Sequence, residues 1–220
     1  MRQSVETENR EPVLLVSITP EAEKMMWYCA RVSNPNNQDN DDVAKLLAYC
    51  IKNKHWSVFE HANMTVEINT TRAISPQILR HRSFCFQEFS QRYAETGLLW
   101  PTLEPKMRKQ DTKNRQNSTD DLADEVREDI SMIVRWAIAR AEESYLELLK
   151  LWVAKECARM ILPLCTPTRL YMTGNIRNWI HYIDLRSWNG TQAEHKEIAE
   201  RIKQIFIKEL PTVAKALSWI

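Results

Sequence analysis

Glycine is nearly absent from this chain: only Gly97, Gly174 and Gly190 occur among 220 residues, and no two of them are near each other. Phosphate cradles of the P-loop and Rossmann kinds need several glycines in one turn, because only a residue without a Cβ lets the backbone wrap a polyanion so closely. Neither cradle can be built here. A nucleotide bound by this chain must be held mainly by side chains.

The side chains suited to that task crowd into Leu79–Tyr93, which reads Leu-Arg-His-Arg-Ser-Phe-Cys-Phe-Gln-Glu-Phe-Ser-Gln-Arg-Tyr. Arg80, Arg82 and Arg92 present planar forks that grip phosphate or carboxylate bidentately. The whole chain has a net charge of only +1, so this is a local concentration of anion-binding groups and not a generally basic protein. Phe84, Phe86 and Phe89 among Cys85, Gln87 and Glu88 suggest a partly buried strand. Charge beside buried aromatics is costly unless it is used or paired.

The length suits one large domain or two small ones, and the chain is read as a single domain over 1–220, with a flexible tail at 1–11 and a long loop at 95–121. No apolar run approaches the roughly 20 residues needed to cross a bilayer, so no membrane association is expected. Met1–Arg10 is polar and lacks a signal core, so the expected location is cytoplasmic, or the cytoplasm of a host if the chain is viral. Cys29, Cys50, Cys85, Cys157 and Cys165 are odd in number and lack a Cys-x-x-Cys pair, which indicates reduced thiols and no zinc site.

Taken in order, Val13–Ile18 reads as a strand and Thr19-Pro20 as the cap and first turn of a helix with Ala22, Met25, Met26 and Cys29 on one stripe. Asp41 or Asp42 can cap a second helix with Val43, Leu46, Leu47, Cys50 and Ile51 inward. His55-Trp56-Ser57-Val58-Phe59-Glu60-His61 precedes a strand marked by Met64, Val66 and Ile68. Two histidines and a glutamate invite a metal, but the His-Glu-x-x-His spacing and a third ligand are missing, so none is expected. Thr70–Arg82 reads as a helix, with a restart at Ser75-Pro76 as the alternative. It delivers Arg80–Arg82 to its C-terminal end, where a cation gains about 0.3–1 kcal/mol from the helix dipole.

Glu95–Leu122 is polar and proline-containing, a loop that either closes over a ligand or is disordered. Ser118–Asp121 offers caps for a helix whose stripe runs from Leu122 to Trp152, a scaffold or an oligomer interface. Ala154–Leu162 is a shorter helix in which Glu156 and Arg159 form an i,i+3 pair. Gly174–Arg186 has helical phasing through Ile176, Trp179, Ile180 and Ile183. At about 100° per residue, Asn175, Tyr182 and Arg186 share one side, and Arg177, His181 and Asp184 another. Thr191–Glu194 is a capping box opening a helix with Ile198, Ile202, Ile205 and Phe206 inward, and Pro211 begins a last short one.

Arg80-His81-Arg82, seven residues, Ser90, one residue and Arg92 resembles the signature of the flavin-dependent thymidylate synthases. His55–His61 is similar to the family's His-x-x-x-Phe-Glu-His segment. Glu156-Cys157-Ala158-Arg159 with Leu162-Pro163-Leu164 resembles its Glu-x-Ala-Arg and Leu-Pro-Leu block, and Asn175 and Leu185-Arg186 follow in the family's order. The matches run from about Ala30 to Pro211. The chain departs from the pattern at Cys85, where many members have serine, at Gln87, and at His181, where asparagine is frequent.

The resemblance implies reductive methylation of dUMP to dTMP, with 5,10-methylenetetrahydrofolate as carbon donor, FAD as cofactor and NADPH as reductant. It implies an α+β fold with a mixed sheet and several long helices, assembled as a homotetramer with active sites shared between subunits. By similarity, His55, Ser57, Arg80, His81, Arg82, Glu88, Asn175, Arg177 and His181 contact FAD. Gln77, Arg80, Glu88, Ser90, Gln91, Arg92, Arg159 and Arg186 hold dUMP. Arg186 is the catalytic group, set against the uracil edge to stabilise developing negative charge. Cys85 and Ser90 are not expected to act as nucleophiles, since the family the chain resembles transfers hydride without a protein nucleophile and no base is evident beside Cys85; Ser90 is read as a substrate-binding hydroxyl. The alternative from another class is a single-stranded nucleic-acid-binding protein using the arginines and aromatics of 80–93. The near-neutral charge argues against nucleic acid as a partner.

Overall fold

The structure is a computed structural model and describes residues 11–38 and 43–220. The tail up to Arg10 and the caps Asp41 and Asp42 lie outside the described residues. The elements, in order, are β1 (Val13–Ile18), α1 (Ala22–Ala30), α2 (Val43–Lys52), β2 (Asn63–Thr71), α3 (Ser75–Ile78), β3 (Cys85–Glu88), β4 (Lys109–Gln110), β5 (Ser118–Thr119), α4 (Asp124–Lys150), α5 (Lys155–Ala158), β6 (Pro167–Asn175), α6 (Ile176–Arg186), α7 (Ala193–Glu209) and α8 (Pro211–Ala216). The architecture is mixed α/β. Among the described residues one sheet has the order β1-β2-β6-β3, and β4 and β5 form a separate antiparallel ribbon.

The chain forms two compact units. One contains Asn69–Ile78 and Glu88–Leu170, and the other Pro12–Ile68, Leu79–Gln87 and Tyr171–Ile220. In the second unit, β1 pairs antiparallel with β2 from Val13↔Ile68 to Ile18↔Met64, with an irregularity between Leu15 and Ser17. Strand alternation does what the sequence demands: Met64, Val66 and Ile68 are fully buried, while their neighbours along β2 are not. Helix α2 packs on α8, and α6 on α7. Trp179, Tyr182, Phe59, Phe206, Met26 and Leu47 fill the space between. In the first unit, α4 packs on α5, and Ile74, Ile78, Leu99, Ile138, Tyr145, Ala158 and Leu170 are buried.

Several local expectations give way to long-range bonding. Thr19 does not cap α1. Its hydroxyl accepts from the Asn63 amide at 2.9 Å, and Glu21 with φ 49° precedes the helix instead. The buried side of α1 is Ala22, Met26 and Trp27, with Met25 exposed. The expected helix over Thr70–Arg82 is a strand as far as Thr71, consistent with β-branched Thr70 and Thr71. The amides of Arg72 and Ala73 then donate to the carbonyls of Thr166 and Leu164, so a helix forms only over Ser75–Ile78, at the Ser-Pro restart. Arg80–Arg82 consequently sit in a turn, and the helix-dipole account of their charge fails.

Strand β6 has no counterpart among the sequence expectations. Its alternation is real, with Thr168, Leu170, Met172 and Gly174 buried. The expected loop 95–121 carries the β4–β5 ribbon, closed by Asp111 accepting from the amides of Lys113 and Asn114. No side chain of Ser118–Asp121 caps α4. Asp120 pairs with Lys106 and Arg127, and Asp121 with Lys109. Only Ile138 and Tyr145 of the long α4 stripe are buried, while Ile133 and Trp136 face solvent. At α7 the first turn follows Gln192, whose amide donates to Glu194, so the capping box is not formed.

Candidate functional site

The residues assigned to the nucleotide fall mostly in the first unit. Glu88, at the end of β3, is held from three directions. Its Oε1 accepts from the hydroxyls of Ser75 at 2.6 Å and Thr168 at 2.8 Å, and Arg72 Nη1 lies 2.6 Å from the same oxygen. Ser75 and Thr168 are buried, so an unpaired carboxylate would be costly there. These bonds leave Oε2 as the oxygen of Glu88 that can face a ligand. Arg72, Ser75 and Thr168 were not found from sequence. Ser75 and Thr168 stand 13 and 80 positions from Glu88, and only folding brings them together.

Arg92 and Arg159 converge on one residue. Arg92 Nε donates to Glu156 Oε2 at 3.0 Å, and Arg159 Nε to the Glu156 carbonyl at 3.4 Å. The expected Glu156–Arg159 side-chain pair is therefore replaced by a longer-range one, since the α5 turn points the carboxylate at Arg92. Next to Arg92, Gln91 is only 4% exposed, and its Nε2 lacks a hydrogen-bond partner among the described residues. A buried amide donor without an acceptor is rare and fits a position completed by a ligand. The Ser90 hydroxyl accepts from the Arg92 amide at 3.4 Å, and Gln77 follows the Ser75-Pro76 turn, half-buried.

The residues assigned to the flavin, Glu88 apart, fall in the second unit. His55 and Ser57 are exposed at the short helical turn before β2, and Arg80 and Arg82 are exposed in the turn before β3. Neither Arg80 nor Arg82 has an ion-pair partner among the described residues. Asn175 ends β6 and caps α6, its Oδ1 accepting from the Asn178 amide at 2.9 Å. Asn178 in turn donates to the Ser83 carbonyl at 2.7 Å, tying α6 to the arginine turn. Arg177 pairs with Glu60, and His181 is exposed on α6.

His81 stands apart from its arginine neighbours. Arg186 Nε donates to His81 Nε2 at 2.8 Å, so the ring nitrogen is unprotonated. The ring of Tyr182 meets that of His81 edge-on at 4.8 Å, and the Tyr182 hydroxyl lies 3.0 Å from His195 Nε2. Burial, helped by the Arg186 and His181 charges, holds the His81 pKa down at about 4. Burial does the same to His195, at about 3, with Arg186 and His81 adding to it. His195 was missed from sequence, although it opens the buried stripe continued by Ile198, Ala199, Ile202 and Phe206.

Among the aromatics of 80–93 that a nucleic-acid reading needs, Phe84 is taken up by the core while Tyr93 is exposed. Phe84 is buried, 4.7 Å from Trp179 and 5.9 Å from Tyr182. Cys85 is exposed on β3, and all five cysteines are unpaired. Among the described residues no helix is long and apolar enough to cross a membrane.

Comparison with known proteins agrees with the motif. Residues 14–212 match the family described as thymidylate synthase complementing protein. A Paramecium bursaria Chlorella virus 1 protein named "Probable flavin-dependent thymidylate synthase" is 53% identical over 200 residues, covering 90% of this chain and 92% of the relative. The flavin-dependent thymidylate synthase of Synechocystis sp. is 51% identical over 197 residues, covering 90% of each. Among solved structures, a UMP/dUMP methylase, PolB, from Streptomyces cacaoi bound with 5-Br dUMP superposes with a TM-score of 0.79 at 26% identity, covering 94% of both chains. The family match and these relatives lead to one conclusion: the chain belongs to the flavin-dependent thymidylate synthase family.

Proposed function

We propose that this chain converts dUMP to dTMP by reductive methylation, taking the one-carbon unit from 5,10-methylenetetrahydrofolate and reducing equivalents from NADPH. Family membership carries this reading, and the geometry supports it. Arg92 and Arg159, drawn together on Glu156, hold the phosphate, because two charge-assisted forks fix a dianion in orientation as well as in charge. Gln91, with its buried free amide, Ser90, Gln77 and the open oxygen of Glu88 complete the nucleotide contacts, together with Arg80. Arg186 faces the uracil and stabilises negative charge as the base is activated.

The residues present fit a flavin. The unpaired guanidiniums of Arg80 and Arg82 suit a pyrophosphate, and His55, Ser57, His81, Glu88, Asn175, Arg177 and His181 supply further polar groups. When bound, reduced FAD supplies the hydride. The chain's own part is to bind, orient and exclude water. We read the chain as a single domain, because β2 and β6 each begin in one compact unit and end in the other. We read it as a homotetramer with shared sites, since Ile133 and Trp136 on α4 and Trp152 just beyond it, 95% exposed, want cover that a second copy provides. The cytoplasm is the proposed compartment, of the host if the chain is viral, in keeping with five unpaired cysteines.

An absorbance spectrum tests the proposal. Purified protein, or protein reconstituted with FAD, shows the bands of oxidised flavin and makes dTMP only when dUMP, the folate and NADPH are all present. Protein that stays colourless after reconstitution overturns it.

A further inference from the structure

The structure closes Arg186, His81 and Tyr182 into a loop of three side chains, with His195 attached behind it. Helix α6 carries both Tyr182 and Arg186, four residues apart and on one side. Arg186 reaches His81, His81 lies edge-on against Tyr182, and Tyr182 leads back to α6. His195, fully buried on α7, meets the Tyr182 hydroxyl at 3.0 Å and pins the loop to a second helix. No sequence motif accounts for Tyr182 or His195. Both are polar groups sunk in a core where apolar side chains would pack as well, so their presence calls for a role.

The chemistry of the loop suggests one. A guanidinium is usually oriented by a carboxylate, which also cancels its charge. Here the acceptor is an imidazole, and it must be neutral, because Arg186 has only N–H donors to offer and His81 Nε2 receives one. Burial keeps both imidazoles uncharged well below neutral pH. The ring of Tyr182 sets the plane of His81, and Tyr182 is in turn fixed by His195. The guanidinium is aimed without being neutralised, and its full charge remains for the ligand it faces.

We infer that Tyr182 and His195 are positioning residues that hold the His81 ring, and through it the Arg186 guanidinium, in one orientation. This rests on the proposed role of Arg186 only for its effect on turnover. The orientation itself is measurable without cofactor or substrate.

Two readouts test it on the full chain. The first is the rate at which phenylglyoxal modifies Arg186 in the ligand-free protein, followed by peptide mass spectrometry. Tyr182→Phe keeps the ring and removes the hydroxyl, and His195→Leu removes the tether. Each is expected to raise the Arg186 rate about fivefold, the worth of one lost hydrogen bond. His195→Gln, whose amide can still meet the phenol, restores most of the protection and serves where His195→Leu does not fold. The second readout is steady-state turnover of the FAD-loaded enzyme. Tyr182→Phe is expected to lower kcat about tenfold, with KM for dUMP and flavin content within about twofold of wild type. Unchanged labelling in both Tyr182→Phe and His195→Leu overturns the inference. So does a loss of flavin and melting temperature that matches the loss of kcat, which marks a structural role. If Arg186→Ala itself turns over normally while the labelling rises as described, the proposed role of Arg186 fails and the positioning stands.

Discussion

Arg92 and Glu156 form an ion pair at 3.0 Å, with both side chains about half exposed. In the free chain a guanidinium assigned to phosphate is thus occupied by a carboxylate. Such an exposed pair contributes little to stability. On the proposed role of Arg92 its effect falls on binding, because a phosphate approaching that guanidinium competes with the Glu156 carboxylate for Nε.

Glu156→Gln is therefore expected to lower KM for dUMP about two- to fivefold at low salt, an advantage that shrinks as salt rises. Arg92→Ala is expected to raise the same KM about tenfold or more, with the smaller effect on kcat, since a charged hydrogen bond to the bound phosphate is lost. Initial-rate measurements against dUMP check both. A higher KM in Glu156→Gln would mean that the carboxylate aims the arginine and does not compete with the ligand.

Glu88 is held by Arg72, Ser75 and Thr168 in a mostly buried setting. Removing the carboxylate leaves a partly buried cation and two hydroxyls without their acceptor. Glu88→Ala is expected to destabilise the fold by about 3 kcal/mol, and Glu88→Gln, which keeps an oxygen, by about half as much. Urea unfolding monitored by tryptophan fluorescence measures the difference. Equal losses for the two variants would show that charge, not acceptance, is what the site requires.

Acid should weaken the protein before its carboxylates titrate. His81 and His195 have folded pKa values of about 4 and about 3, below the ordinary imidazole value of 6.5. The unfolded chain therefore binds more protons over this window. Stability from these groups is fully present above about pH 6.5 and falls as pH drops toward 4 and then 3. Melting temperature is expected to decline by about 5 °C or more from pH 7 to pH 4.5, and by less in His195→Gln. An identical decline in the variant would remove His195 from the account.

Gly174 lies against Phe84. A Cβ at position 174 would stand 2.4 Å from Phe84 Cδ1, far inside contact distance. Phe84 is wedged between Trp179 and Tyr182 and has little room to retreat. Gly174→Ala is expected to cost about 1–3 kcal/mol and to reduce flavin retention, because Phe84 follows the arginine turn by two residues. Thermal denaturation and the flavin-to-protein absorbance ratio check this. Wild-type values on both counts would show that the aromatic cluster yields.

Patterns of one period were legible in the sequence: the alternation of Met64, Val66 and Ile68, the stripe of α7 and the Ser-Pro start of α3. Features decided by distant partners were not. Thr70 and Thr71 stay in β2, and Arg72 and Ala73 bond to Thr166 and Leu164, which cut short a helix that local spacing allows. Strand β6 was missed because Thr168, Arg169 and Thr173 dilute its apolar alternation. The motif arginines were legible as chemistry, but their partners were not, since His81 and Arg186 are separated by 105 positions. Glu156 was visible, yet its partner was misassigned to the nearer arginine.

The bond between Asn175 Oδ1 and the Asn178 amide has an outcome beyond starting a helix. A free asparagine amide is ambidextrous and can turn either its oxygen or its nitrogen to a ligand. Once the cap engages Oδ1 the amide can no longer flip, so oxygen and nitrogen keep fixed places and the Nδ2 hydrogens are left to donate elsewhere. Glu88 is fixed in the opposite sense: its remaining oxygen can only accept, so its ligand atom must carry a hydrogen. The fold has thus fixed the hydrogen-bonding sense of each residue separately, before any ligand arrives.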